Sequence, residues 1–261
     1  MKLPLYHVDA FTSLVFSGNP AAVVLLDEWL PNKSLAAIAA ENNLSETAFV
    51  VPHGDPMPLR WFTPAVEVDL CGHATLATAH VLFRHVFPAA STLAFGTKSG
   101  TLTVARHDDA LSMDFPARPG SRAKISDSIV AALGVRPLEA YKARDLLVIF
   151  DSESDIRSFQ PNFRGIASLD AFALTISAPG RETDYVYRFF APLQGIPEDP
   201  VTGSANCTLV PYWAARLGRN ELSAKQLSAR GGDLKCALRG DRVHISGRAV
   251  EYLHGEIIVD L

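Results

Sequence analysis

Arg60-Trp61-Phe62-Thr63-Pro64 returns in the second half of the chain as Arg188-Phe189-Phe190-Ala191-Pro192. Each is a strand-like run of bulky residues that stops at a Pro-containing loop. Outward from this pair the order continues. Gly72-His73-Ala74-Thr75 faces Gly203-Ser204-Ala205-Asn206, and Gly100-Thr101-Leu102 faces Gly232-Asp233-Leu234. Asp109-Ala110-Leu111 faces Asp241-Arg242-Val243, and upstream Ser45-Glu46-Thr47-Ala48-Phe49 faces Ser168-Leu169-Asp170-Ala171-Phe172. Any one match is short enough for chance or for generic patterning of strands and helices. Their common order, with spacings near half the chain, points to two homologous lobes. The first covers about 1–116 and the second about 120–250, and Pro116-Ala117-Arg118-Pro119-Gly120 has linker composition. A C-terminal tail of about 250–261 is left over to pack back on the first lobe.

Strand-like and helix-like stretches alternate along the first half. Tyr6 to Phe11 and Ala21 to Leu26 read as strands joined through the turn-forming Ser17-Gly18-Asn19-Pro20. Pro31 to Asn42 reads as a helix with Leu35, Ile38 and Ala39 on one face. Thr47 to Val51 and Leu59 to Phe62 are strand-like, Gly72 to Arg84 helical, and Leu102 to Ala105 and Ala110 to Phe115 strand-like again.

Composition narrows the function classes. With 261 residues, 48% of them hydrophobic and 20% charged, the chain can bury a core without staples. A net charge of −4 carries no excess of Lys and Arg for nucleic acid. Three cysteines, Cys71, Cys207 and Cys236, are too few for a disulfide framework and suit a reducing cytoplasm. Met1 to His7 shows no apolar leader core, and no apolar run approaches a membrane span. The expectation is a cytoplasmic protein without nucleic-acid or membrane partners.

Two loops stand out as chemistry-bearing. Asp69-Leu70-Cys71-Gly72-His73-Ala74-Thr75 and Glu198-Asp199-Pro200-Val201-Thr202-Gly203-Ser204-Ala205 each follow a strand and open a helix. Free backbone N–H groups at a helix start favour an anion, so two such starts facing a cleft between lobes would grip a carboxylate. His73 lies at one of them, where the dipole favours a neutral imidazole able to shuttle a proton. Glu46 opens an apolar strand, and a carboxyl group against apolar walls can act as base and then acid near neutral pH. Its repeat partner is Leu169, so Glu46 breaks the symmetry between halves. Asp199 breaks it from the other side, opposite apolar Leu70-Cys71.

Cys71 precedes the helix start, but the residue before Gly203 is Thr202, and Cys207 comes a helical turn later. A mechanism using one thiol from each lobe therefore lacks its second thiol, and Cys71 reads as a small packed residue. His73 and His80 are two turns apart, too far to chelate one ion, and no pairing has metal-ligand spacing. There is no GxxxxGK[ST] loop, no convincing GxGxxG and no GxSxG elbow, so nothing calls for a nucleotide or flavin cofactor.

The segments His7-Val8-Asp9-Ala10-Phe11-Thr12, Gly18-Asn19-Pro20-Ala21-Ala22-Val23, Ser45 to Phe49, Arg60 to Pro64, Gly72 to Thr75 and Asp199 to Ala205 together resemble the PhzF family of phenazine biosynthesis. They occur in the family's order across most of the chain. The resemblance implies an α+β, diaminopimelate-epimerase-like fold of two pseudo-symmetric lobes, each a curved sheet wrapped around a central helix. It also implies a homodimer and no cofactor, and with no metal-ligand spacing in the chain no metal is expected. The implied activity is isomerisation of a small carboxylate-bearing substrate, such as trans-2,3-dihydro-3-hydroxyanthranilate, by general acid–base catalysis. Carried over position by position, Glu46, His73 and Asp199 are catalytic, and Asn19, Gly72, Gly203 and Ser204 bind substrate. Two alternatives stay open: an amino-acid racemase or epimerase using Cys71, and a non-catalytic protein that binds a small metabolite or a protein partner.

Overall fold

The computed structural model describes residues 1–260. The chain divides into two units, Met1–Asp114 together with the chain from Ser246, and Phe115–Ile245.

In the first unit, β1 (Lys2–Ala10) pairs antiparallel with β2 (Asn19–Leu25). The crossover helix α1 (Asn32–Asn42) returns the chain to β3 (Glu46–Val50), parallel to β2. Its predicted face is the buried one: Leu35, Ile38 and Ala39 pack with Val24, Phe49, Val51 and Phe62. Then come β4 (Met57–Phe62), β5 (Glu67–Val68) and α2 (Gly72–Val81). A wider helical turn, Leu82–Val86, prolongs α2 to where the sequence puts its end. β6 (Thr92–Thr97), β7 (Gly100–His107) and β8 (Ala110–Pro116) form an antiparallel meander.

β3 is buried along its whole length because it is covered on both faces. Val24 and Phe49 face α1. The alternate set, Asn19, Ala21 and Val23 on β2 and Glu46, Ala48 and Val50 on β3, therefore faces the other way. That other face is where α2 packs, against β1, β2 and β3. α2 is apolar nearly all round, and eight of its ten residues are buried, as a central helix requires.

The second unit runs β9 (Ser121–Arg122), α3 (Asp127–Leu133), β10 (Glu139–Lys142), β11 (Leu146–Ile149), α4 (Glu153–Ser158), α5 (Phe163–Ala167), β12 (Leu174–Pro179), β13 (Tyr185–Ala191) and β14 (Ile196–Asp199). A single tight turn, Gly203–Ala205, leads into α6 (Asn206–Leu217), followed by β15 (Glu221–Gln226), β16 (Gly232–Arg239) and β17 (Arg242–Gly247). β18 (Ala249–Ile258) belongs to the first unit, where it pairs antiparallel with β1. α3, α4 and α5 cover one face of β11–β13 with Ile129, Leu133, Ile156, Phe159 and Ile166. Ser126 and Ser152 cap α3 and α4, the latter as a capping box with Asp155. In α6, Pro211 has no N–H for the Cys207 carbonyl one turn back, and the Arg118 N–H donates to that carbonyl instead at 2.8 Å.

Strand pairing repeats between the units. β2–β3 is parallel and β3–β4–β5 antiparallel; β11–β12 is parallel and β12–β13–β14 antiparallel. The repeated Arg does the same work twice. Arg60 Nε and Nη2 clasp Glu67 at 2.8 and 2.9 Å with the guanidinium 5.1 Å from the Phe62 ring centre. Arg188 clasps Glu198 at 2.7 and 2.9 Å and lies 5.0 Å from Phe190.

Register also corrects two sequence pairings. Thr47 lies opposite Phe62 and Leu174 opposite Phe190, so the second-unit counterpart of Glu46 is Ala173, not Leu169. Trp61 lies opposite Val68 and Phe189 opposite Asp199, so Asp199 matches Val68 rather than Leu70-Cys71. The Gly72–Gly203 spacing itself already sets Asp199 against Val68, whereas the match of Ser45 with Ser168 is out of step with the strand ladder. Both carboxylates still break the symmetry, since their true counterparts are apolar. Among the described residues, no helix is long and apolar enough to cross a membrane.

Candidate active site

The first unit assembles a buried trio. Glu46 opens β3 directly opposite Ala21 of β2, and Asn19 lies two residues before Ala21, on the same face. Asn19 reaches its place through the tight loop after β1. Gly18 there has φ +67°, and a Cβ would sit 2.2 Å from the Ala10 carbonyl oxygen, so only glycine fits. Cys71 is the extended residue ahead of α2, and His73 is the second residue of the helix. Thr75 ties the start down, its hydroxyl donating to the Cys71 carbonyl at 2.6 Å.

His73 stands at the centre. Its Nε2 is 3.0 Å from Glu46 Oε2, its Nδ1 is 3.2 Å from Asn19 Nδ2, and Cys71 Sγ is 3.6 Å from Nδ1. All four residues are buried. The Nε2–Oε2 contact has the distance of a hydrogen bond but not its alignment, and Oε2 has no hydrogen-bond partner. The Asn19 amide meets the ring at Nδ1, and which side donates follows the ring's protonation state.

Burial pulls His73 toward the neutral imidazole, but the neighbouring Cys71 sulfur and Glu46 carboxylate outweigh it and raise its pKa well above the usual histidine range. Burial, then Glu46, push the Cys71 thiol up to about 11. The upward direction, set by Cys71 and then Glu46, runs against the expectation of a neutral His73. A histidine whose pKa is raised on folding stabilises the fold below its unfolded value of about 6.5, and loses that contribution as pH climbs through its raised value. His73→Asn therefore costs most stability under mildly acidic conditions. Urea unfolding of both proteins across the pH range is expected to show the gap narrowing as pH rises above neutrality.

The second unit holds its loop with a buried polar frame. Asp199 ends β14 and accepts a hydrogen bond from the Thr202 hydroxyl. Gln226, fully buried at the end of β15, bridges the loop: its Oε1 accepts from the Thr202 N–H at 2.7 Å and its Nε2 donates to the Asp199 carbonyl at 2.6 Å. Asn206 accepts from the Tyr185 hydroxyl at 2.5 Å and donates to the Tyr187 hydroxyl at 3.0 Å and the Gly203 carbonyl at 3.2 Å. Gly203 is buried and Ser204 half-buried. Sequence reasoning singled out Asp199, Gly203 and Ser204 in this loop but gave no signal for Gln226 and Asn206, which frame it. It also read Cys71 as packing alone, although its sulfur touches His73. Spacing revealed no metal-ligand pairing because Glu46 comes from a different strand; folding brings ligand atoms of Glu46, Cys71 and His73 within 4.8 Å of one another.

The phenazine biosynthesis-like protein (PhzC-PhzF) family matches residues 8–255. The chain belongs to that family. It is 49% identical to an uncharacterized isomerase of Pseudomonas aeruginosa over 257 residues, covering 98% of this chain and 99% of the relative. A crystal structure of a PhzF-family phenazine biosynthesis protein from Enterococcus faecalis superposes with a TM-score of 0.97 at 46% identity, over 99% of this chain and 100% of that one. The fold extends to a hydroxyproline epimerase of Agrobacterium vitis, with a TM-score of 0.63 at 10% identity, over 98% of this chain and 92% of that one. The PhzF-like chain is thus an isomerase with an α+β fold shared with epimerases.

Proposed function

We propose that this isomerase moves a proton on a small carboxylate-bearing substrate without a cofactor, with Glu46 as the acid–base group. The observation that carries this reading is the buried Glu46–His73 contact, in which Oε2 lies 3.0 Å from the imidazole yet is not consumed by a hydrogen bond. A carboxylate kept in that state retains a lone pair for a substrate C–H. It takes the proton from an activated carbon and returns it to another position, ending as it began. The His73 imidazolium faces the charge that passes through the site and stabilises it from a fixed position. Backbone N–H groups at the start of α2, from Gly72 on, hold the substrate carboxylate, with Asn19 beside them. Asp199, Gly203 and Ser204 are assigned to proton return and substrate binding on the resemblance of the Asp199–Ala205 segment.

The racemase alternative places catalysis on Cys71. Its thiol is buried and pushed up to about 11, and Thr202 occupies the matching place in the second unit. A screen of trans-2,3-dihydro-3-hydroxyanthranilate, diaminopimelate and proline derivatives for mass-neutral conversion tests both readings. The expected result is conversion of one compound by wild type, with Cys71→Ser slower by less than about tenfold. Loss of three or more orders of magnitude in Cys71→Ser, with folding intact, would move the chemistry to the thiol.

A further inference from the structure

We infer that Glu46, Cys71 and His73 form a site for a thiophilic divalent cation of the zinc type, and that its occupation switches the acid–base group off. The binding inference rests on the geometry of the trio, and only its inhibitory consequence rests on the proposed function. Three side chains of different type supply three ligand atoms, Oε2, Sγ and a ring nitrogen, within 4.8 Å of one another, all in buried residues. Zinc bound tetrahedrally at about 2.0–2.3 Å places pairs of ligand atoms about 3.3–3.6 Å apart. Here Nε2 is 3.0 Å from Oε2 and 4.0 Å from Sγ, so only small side-chain adjustments centre the set on one ion. The unpartnered Oε2, on a residue 92% buried by its 8% exposure, is aimed into that space. Buried polar oxygens without a partner are rare, and a cation would satisfy this one.

Thiolate, imidazole and carboxylate together are a zinc set rather than a magnesium or calcium set, which takes oxygens alone. Three protein ligands leave a fourth position open. On binding, the Cys71 sulfur forms its metal bond as the thiol proton leaves to solvent. Coordination through Nε2 releases that nitrogen's proton to solvent and leaves the ring proton on Nδ1, and rotation of the Asn19 amide turns its carbonyl oxygen toward that N–H. The ion then engages both Glu46 and His73, so proton transfer stops until it dissociates.

Cobalt(II) titration of the intact protein reads the site without needing a substrate. A sulfur-to-cobalt charge-transfer absorption with the intensity of a tetrahedral ion is expected, saturating at one ion per chain and displaced by zinc. Cys71→Ser should abolish the band, and Glu46→Gln should weaken binding by more than the roughly 10–100-fold that an outer-shell partner commands. Zinc should inhibit wild type relative to its own metal-free rate, reversibly on chelation, while magnesium does not. Absence of the band in wild type overturns the site, as does a band that survives Cys71→Ser and vanishes in Cys207→Ser or Cys236→Ser. Binding with full activity retained overturns the inhibitory consequence alone. Failure of the Glu46 mechanism with the band intact would leave the metal site standing.

Discussion

Glu46→Gln is expected to slow isomerisation by about 10²–10⁴-fold, the range a positioned general acid–base group supplies. Glutamine keeps the shape of the side chain but offers no carboxylate to accept a proton. Glu46 sits at the first position of β3 with the rest of that strand buried behind it, so the substitution leaves the packing of α1 and α2 in place. It also removes one of the two neighbours, after Cys71, that raise the His73 pKa. Burial then acts with less opposition, and His73 should titrate lower in the variant than in wild type, which proton NMR of its ring resolves. The two readouts belong together. A slow enzyme with unchanged His73 titration would indicate that Glu46 acts on the substrate alone. Unchanged activity with a lowered His73 titration would remove Glu46 from the chemistry and leave it a structural partner.

Gln226→Leu is expected to destabilise the protein by about 2–6 kcal/mol, because it leaves two buried backbone groups unpaired at a cost of about 1–3 kcal/mol each. Those groups are the Thr202 N–H and the Asp199 carbonyl, at either end of the loop before α6. Leucine fills a similar volume, so the penalty is one of polar satisfaction rather than of a cavity. Urea unfolding should show a lower midpoint with an unchanged slope. His73, in the other unit, should titrate as in wild type. A midpoint unchanged within error would mean that water or a shifted backbone satisfies the loop, and that Gln226 does not frame it.

Much of this was legible in the chain itself. The internal repeat was readable because each unit needs the same Arg–Glu clasp and the same Pro-ended strand, and those requirements print similar residues at Arg60 and Arg188. α1 was readable from Leu35, Ile38 and Ala39 because one face of a crossover helix must be apolar. Glu46 stood out because a carboxylate at the head of a buried strand is a costly choice. What stayed hidden depends on contacts between distant positions. Gln226 meets Thr202 and Asp199 across the fold, and neither end of the bridge has a sequence signal. The upward direction of the His73 pKa was not legible because its contacts with Cys71 and Glu46 exist only in the fold. The same separation hid the clustering of Cys71, His73 and Glu46, which no spacing along the chain reports. Register, too, needed the ladder: the sequence offered Leu169 opposite Glu46, and strand pairing selects Ala173.

The most direct test of the central claim is hydrogen exchange at carbon in D₂O, followed by NMR on the substrate that wild type converts, with wild type and Glu46→Gln compared under identical conditions. Glu46-dependent proton transfer predicts conversion and carbon-bound deuterium with wild type, and loss of both by two or more orders of magnitude in Glu46→Gln. Exchange and conversion at the wild-type rate in a folded Glu46→Gln protein would contradict it.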